Sequence, residues 1–125
     1  MAPPSEFCRY VMELLEASDL DPAGNGLELR SMFGGYGIFF DGLMFALIAR
    51  DTLFIKVDDE NRSAFEAKGM GPFTYARKDR EGALSYYETP DEALEAPDGL
   101  EPWAALGIAA ARRAAAKKKK KKKRA

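Results

Sequence analysis

The sequence predicts an α+β domain, an antiparallel sheet of about six strands around a β-meander, covered by helices from the two ends of the chain. Three observations predict it. Phe7, Tyr10, Val11, Leu14 and Leu15 recur at helical spacing near the N-terminus. Between Tyr36 and Val57, short β-prone runs alternate with turn dipeptides. Finally, Leu100, Trp103, Ala104, Leu106 and Ala110 form a second helical stripe that leads into an Ala-rich segment.

The first helix is expected over 5–17 with Ser5 as its cap, and Asp21-Pro22 and Gly24-Asn25-Gly26 then break the chain before an extended stretch at 27–33. The meander reads as Tyr36-Gly-Ile-Phe-Phe, Leu43-Met-Phe-Ala-Leu-Ile-Ala and Thr52-Leu-Phe-Ile-Lys-Val, joined by Asp41-Gly42 and Arg50-Asp51. Asp-Gly suits a type I′ hairpin turn because both of its central positions need positive φ. Asp58, Asp59, Glu60 and Asn61 supply an N-cap and negative charge for a short helix pinned by Phe65 and ended by Gly69. Two further strands are expected at 73–78 and 83–88, joined by Asp79-Arg80-Glu81-Gly82. A helical turn opening at Thr89-Pro90-Asp91-Glu92 and closed by Pro97 precedes a last helix capped by Asp98. Alanines favour helix as far as Ala116, whereas adjacent lysines repel one another and fray it. The expected division is therefore a folded domain over 1–113 and a disordered basic tail over 114–125.

Composition narrows the chemistry. The chain of 125 residues is 46% hydrophobic and 31% charged, with one Cys and no His. That length buries enough surface for one core without a disulfide or metal. Lacking histidine, it cannot build a Ser-His-Asp or Cys-His nucleophile or a His-metal site, and a single Cys excludes an internal disulfide and Cys-cluster metal sites. No catalytic, cofactor or metal residues are identified. The N-terminus has neither a basic nor an apolar region of a signal peptide, and no apolar run approaches the roughly 18 to 20 residues of a membrane span, so a cytoplasmic location is expected. Charge is sharply divided. Residues 1–111 hold 9 Lys/Arg against all 20 Asp/Glu, a net −11, and residues 112–125 hold ten basic residues and no acid, a net +10. These are Arg112, Arg113, Lys117, Lys118, Lys119, Lys120, Lys121, Lys122, Lys123 and Arg124.

The run Arg30-Ser-Met32-Phe33-Gly34-Gly35-Tyr36-Gly37-Ile38-Phe39-Phe40-Asp41-Gly42-Leu43-Met44-Phe45-Ala46-Leu47-Ile48 resembles the signature of the TfoX (Sxy) N-terminal domain family. Leu53-Phe-Ile-Lys56-Val57-Asp58, Gly71-Pro72-Phe73-Thr74-Tyr75 and Ser85-Tyr86-Tyr87 with Pro90 are similar to its later segments, and the likeness spans about 28–113. It implies a small α+β domain found in bacterial regulators of natural competence, where it acts beside a cyclic-AMP receptor protein at promoters, and found alone in short proteins. A stand-alone member is expected, with the lysine run where longer members have a second domain. Met32, Phe33, Gly34, Gly35, Gly37, Asp41, Gly42 and Lys56 are its motif positions here, with structural roles and no attached chemistry.

Each candidate site has a plainer rival. Gly34-Gly35-Tyr36-Gly37 suggests an anion-cradling loop but lacks P-loop and dinucleotide-fold elements, so a bend with unusual φ/ψ is the expected role. Asp58, Asp59 and Glu60 suggest a metal site, yet no calcium-loop spacing follows, and helix capping is expected instead. Cys8 is expected as a half-buried filler. Phe73, Tyr75, Tyr86 and Tyr87 suggest a base-stacking surface, although Tyr86 and Tyr87 must face opposite ways. The basic tail is the preferred site, a contact for DNA or RNA without sequence preference. Its rivals are a solubilising tail, anionic lipid, or a clasp onto the acidic body. The expected function is a non-enzymatic regulatory module with a protein partner. A small enzyme and a self-associating domain are the alternatives.

Overall fold

Ser5 opens the first helix, α1 (Glu6–Ala17), by accepting a hydrogen bond from the Cys8 N–H at 3.1 Å. This computed structural model describes residues 5–24, 26–32, 35–77 and 80–124, with side chains throughout except at 74–77, 80–84 and 119–124. The buried face of α1 is Cys8, Val11, Leu14 and Leu15, rotated from the expected stripe. Tyr10 lies at its edge, 41% exposed, and its hydroxyl donates to the Leu94 carbonyl. Cys8 is correspondingly fully buried rather than half-buried.

The strands are β1 (Leu27–Met32), β2 (Gly35–Phe40), β3 (Leu43–Ala49), β4 (Thr52–Lys56), β5 (Pro72–Arg77) and β6 (Arg80–Glu88). They form one antiparallel sheet in the order β1-β2-β3-β4-β6-β5, so the fold is α+β with helices at both ends. Asp41 and Gly42 take positive φ, as the predicted hairpin requires, and Arg50 and Asp51 do the same in the next turn. The last hairpin is tighter than expected, because Arg77 pairs with Arg80 and β6 starts there, ahead of 83. β3 carries a bulge. Ile38 opposes Ala46 but Phe39 opposes Met44, which leaves Phe45 as the extra residue. Phe45 and Ala46 therefore both enter the core, and β3 does not alternate strictly.

One sheet face carries Ile38, Ala46, Ile48, Leu53 and Ile55, which join α1, Phe65 and the last helix in a single core. Phe65 belongs to α2 (Arg62–Glu66), and the last helix is α3 (Pro97–Arg124). Pro97 opens α3 instead of closing the preceding 3₁₀ turn at Asp91–Glu95. Its fixed φ and missing N–H suit the first helical position, where that N–H would have no helical partner. Helical backbone continues through Arg124, so the expected boundary at 113 falls inside α3. Among the described residues no helix is long and apolar enough to cross a membrane.

Three contacts seat α3 on the sheet. At Gly107 a Cβ would stand 2.5 Å from Ile55 Cγ2 and 2.9 Å from the Phe45 carbonyl oxygen, so only glycine allows this approach. Asn61, 3% exposed, donates from Nδ2 to the Lys56 carbonyl (3.2 Å) and the Leu106 carbonyl (3.1 Å). Its Oδ1 accepts from the Asp58 N–H at 2.9 Å. Arg113 then donates to both Asp58 oxygens, at 2.6 and 2.9 Å, and reaches Glu60 at 3.0 Å.

The acidic run caps the turn that leads into α2, as expected, with the Asp58 carbonyl accepting from the Arg62 N–H at 3.1 Å, and it also ties down α3. Asn61 is the N-cap residue of α2 and makes no side-chain cap, while Asp58 Oδ1 accepts from the Glu60 and Asn61 N–H groups. The Arg113 guanidinium chiefly holds the Asp58 carboxyl below its usual range, against the opposing effect of burial. A carboxylate with a depressed folded-state pKa stabilises the fold above its unfolded value near pH 4, and that stabilisation is lost as pH falls through the folded pKa. Asp58→Asn should therefore lower stability by roughly 1 kcal/mol at pH 7. The gap from the unsubstituted protein should close as pH drops below about 4. Urea unfolding from pH 7 to pH 2 reads this out, and a gap independent of pH would refute it.

The glycines of β2 are required for a reason other than unusual φ/ψ. Neither Gly35 nor Gly37 has a positive φ. A Cβ on Gly35 would lie 2.2 Å from the Ile48 carbonyl oxygen, which is backbone, whereas one on Gly37 meets only the ends of Met32 and Met44 at 3.0 to 3.1 Å. Gly35→Ala should cost about 1 to 3 kcal/mol, the range for forced overpacking, and Gly37→Ala clearly less, since methionine repacks. Equal losses in chemical denaturation would contradict this account.

Candidate functional site: a lysine-lined groove and the basic end of α3

The β3–β4 ladder ends at Ala46 and Ile55, just before the bulge, and β4 continues by pairing Lys56 with Tyr86 of β6. Leu43 and Met44 consequently stand apart from Lys56 and Tyr86, and the gap is a groove of about 280 Å³. Ala111, Ala114 and Ala115 of α3 line it at i, i+3 and i+4, and their small side chains leave it open. Lys118, one turn further, lines it from the same helix.

Its polar groups are cationic or neutral donors. Lys56 Nζ sits 5.2 Å from the centroid of the Tyr86 ring. Burial, and secondarily the charge of Lys118, push the Lys56 amine down, while Asp58 acts in the opposite direction. Burial also pushes the Tyr86 phenol up to about 12, so it remains a proton donor. Among the described residues its hydroxyl has only a long 3.5 Å contact to the Met44 carbonyl. Asp58, the acid whose charge Lys56 feels, is engaged by Arg113.

The other sequence candidates are placed as follows. Arg112 lies 3.9 Å from Asp41 and 5.8 Å from the Phe40 ring centroid, and Arg113 is bound to Asp58 and Glu60, so both arginines turn back onto the body. Lys117 and Lys118 are exposed, and the side chains of Lys119 to Arg124 lie outside the described residues. Met32 and Met44 cover Gly37, Asp41 and Gly42 form the β2–β3 turn, and Phe33 and Gly34 lie outside the described residues. Asp59 pairs with Arg62 at 2.8 Å. Among the described residues the aromatic candidates pack in separate places. Tyr87 meets Phe65 beneath the helices, Phe73 packs edge-on to Phe54 at 4.9 Å, and the Tyr75 side chain lies outside the described ones. Burial raises the Cys8 thiol, the opposite of what activates a nucleophile.

The sequence reading missed the groove. Its traces were a lysine at the end of an otherwise apolar strand and alanines at helical spacing ahead of Lys118.

Comparison with known proteins gives a relative and a family model. A relative, "DNA transformation protein TfoX1" of Aliivibrio fischeri (strain ATCC 700601 / ES114), is 30% identical over 71 residues, covering 57% of this chain and 34% of the relative. The chain thus spans about a third of that protein's length. The family model of the TfoX N-terminal domain matches residues 19–111, from the end of α1 to the helix that floors the groove. On that match, the chain belongs to the TfoX N-terminal domain family.

Proposed function

We propose that this protein is a non-enzymatic binding module in the regulation of DNA transformation, whose body engages a transcription regulator and whose basic helix end contacts nucleic acid without sequence preference. The relative's printed name places that protein in DNA transformation, and the shared domain supports the same setting here. The observation that carries the nucleic-acid part is the charge division. Acidic residues stop at Glu101, Arg112 and Arg113 pair with acids of the body, and eight consecutive cations follow from 117 to 124. Such a run binds phosphate polymers through counterion release and carries no means of reading bases.

The acidic body works against that attraction, so binding is salt-sensitive and confined to the helix end. For duplex DNA, log K should fall against log salt with a slope of around −5 to −7, below the limit for eight cations because contact is incomplete. Changing the duplex sequence should leave affinity nearly unchanged, and truncation after Ala116 should abolish binding. Fluorescence anisotropy across a salt series measures each quantity. No binding at low salt, or binding that survives truncation, would sink the nucleic-acid reading. Co-purification with and without nuclease tests the protein partner separately, since a genuine protein contact survives nuclease.

A further inference from the structure

We infer that the groove between β3, β4 and α3 is a binding site for a phosphate monoester, held by Lys56, Lys118 and Tyr86. The inference stands on Lys56 and Tyr86, which are no part of the basic run, and shares only Lys118 with the proposed nucleic-acid contact.

Two features of the site go together. Lys56 and Lys118 bring two ammonium groups to one groove, close enough for the charge of one to disfavour the other. Among the described residues neither amine has a carboxylate within ion-pair distance, and Asp58 is occupied by Arg113 at 2.6 and 2.9 Å. A partly buried lysine with no acid partner costs free energy, and a dianion would offset it by neutralising both cations at once. The Tyr86 hydroxyl, weakly used at 3.5 Å, can turn to donate a third hydrogen bond. Apolar Ala111, Ala114 and Leu43 complete the lining, so the organic body of a monoester is accommodated beside its charged head. The volume of about 280 Å³ is at the small end for ligand sites and fits a mononucleotide-sized group or part of one.

That monoester can be a free mononucleotide or the terminal 5′-phosphate of a nucleic-acid strand held by the lysines, internal strand phosphates being singly charged diesters, and two titrations separate these sources. Adenosine monophosphate and a blunt 5′-phosphorylated duplex are each added to the full chain while backbone and Tyr86 ring resonances are followed by NMR. Shifts of Lys56 and Tyr86 with the mononucleotide identify a free monoester, and the same shifts with the duplex alone identify a strand phosphate. Either supports the site, whereas no shift there with both ligands overturns it. Lys56→Met should weaken the responding ligand about tenfold, the scale of a charge-assisted contact. Tyr86→Phe, which keeps the ring, should weaken it severalfold. If Lys56→Met fails to fold, Tyr86→Phe and Lys118→Gln decide, and unchanged affinity in both would refute the site. Truncation after Lys118 should leave mononucleotide binding intact while weakening duplex binding. The groove and the basic run can therefore fail independently.

Discussion

Much of this molecule depends on how closely α3 lies against β3 and β4, and that distance is set by Gly107. Any side chain there would meet the Ile55 methyl and the Phe45 carbonyl well inside contact distance. With α3 seated, the Leu106 carbonyl comes within reach of Asn61, and Arg113, less than two turns further on, arrives at Asp58. The alanines at 111, 114 and 115 then face the gap left where β3 bulges away. A helix standing off by the width of a methyl group would lose these contacts together.

Asn61 makes that seating specific. A buried amide is costly unless its donors and acceptor are used, and here Oδ1 and both bonds of Nδ2 have partners on three different segments. Apolar packing alone would tolerate α3 sliding along the sheet. The Asn61 bonds do not, because one donor must find the end of β4 while the other finds a carbonyl in the middle of α3. Arg113 repeats the constraint at the surface with two parallel bonds to one carboxylate, a geometry that fixes direction as well as distance.

What was legible in the sequence follows from the same physics. Features determined within a few residues were visible: the Ser5 cap, the Asp41-Gly42 turn, the apolar runs of the meander and the alternation that sends Tyr86 and Tyr87 to opposite faces. Features determined across the chain were not. Asp58 reads locally as a helix cap, and nothing near it announces an arginine 55 positions away. Helical periodicity gave Tyr10 and Cys8 adjoining places on α1, but the tertiary contacts of the helix decided which was buried. The groove was hidden for the same reason, since it needs the β3 bulge, the insertion of β6 beside β4 and the alanine face of α3 at once. Lys56 was noticed as a motif position, and its setting between Tyr86 and Lys118 came only from the fold.

The charge division takes on a direction once α3 is placed. Its first two cations after the core, Arg112 and Arg113, are drawn to Asp41, Asp58 and Glu60, which anchors the helix where the acidic body ends. Beyond that point the lysines benefit from the negative end of the helix dipole and suffer from one another, because like charges at i and i+4 destabilise a helix. Those opposing effects are comparable in size, a few tenths of a kcal/mol per pair against about the same per dipole contact. The balance is therefore set by whatever neutralises the lysines. A polyanion along this segment removes the repulsion and leaves the dipole and alanine propensity in place, so binding and helix formation reinforce each other there. Of the body's own acids, Asp41, Asp58 and Glu60 are already engaged by the two arginines.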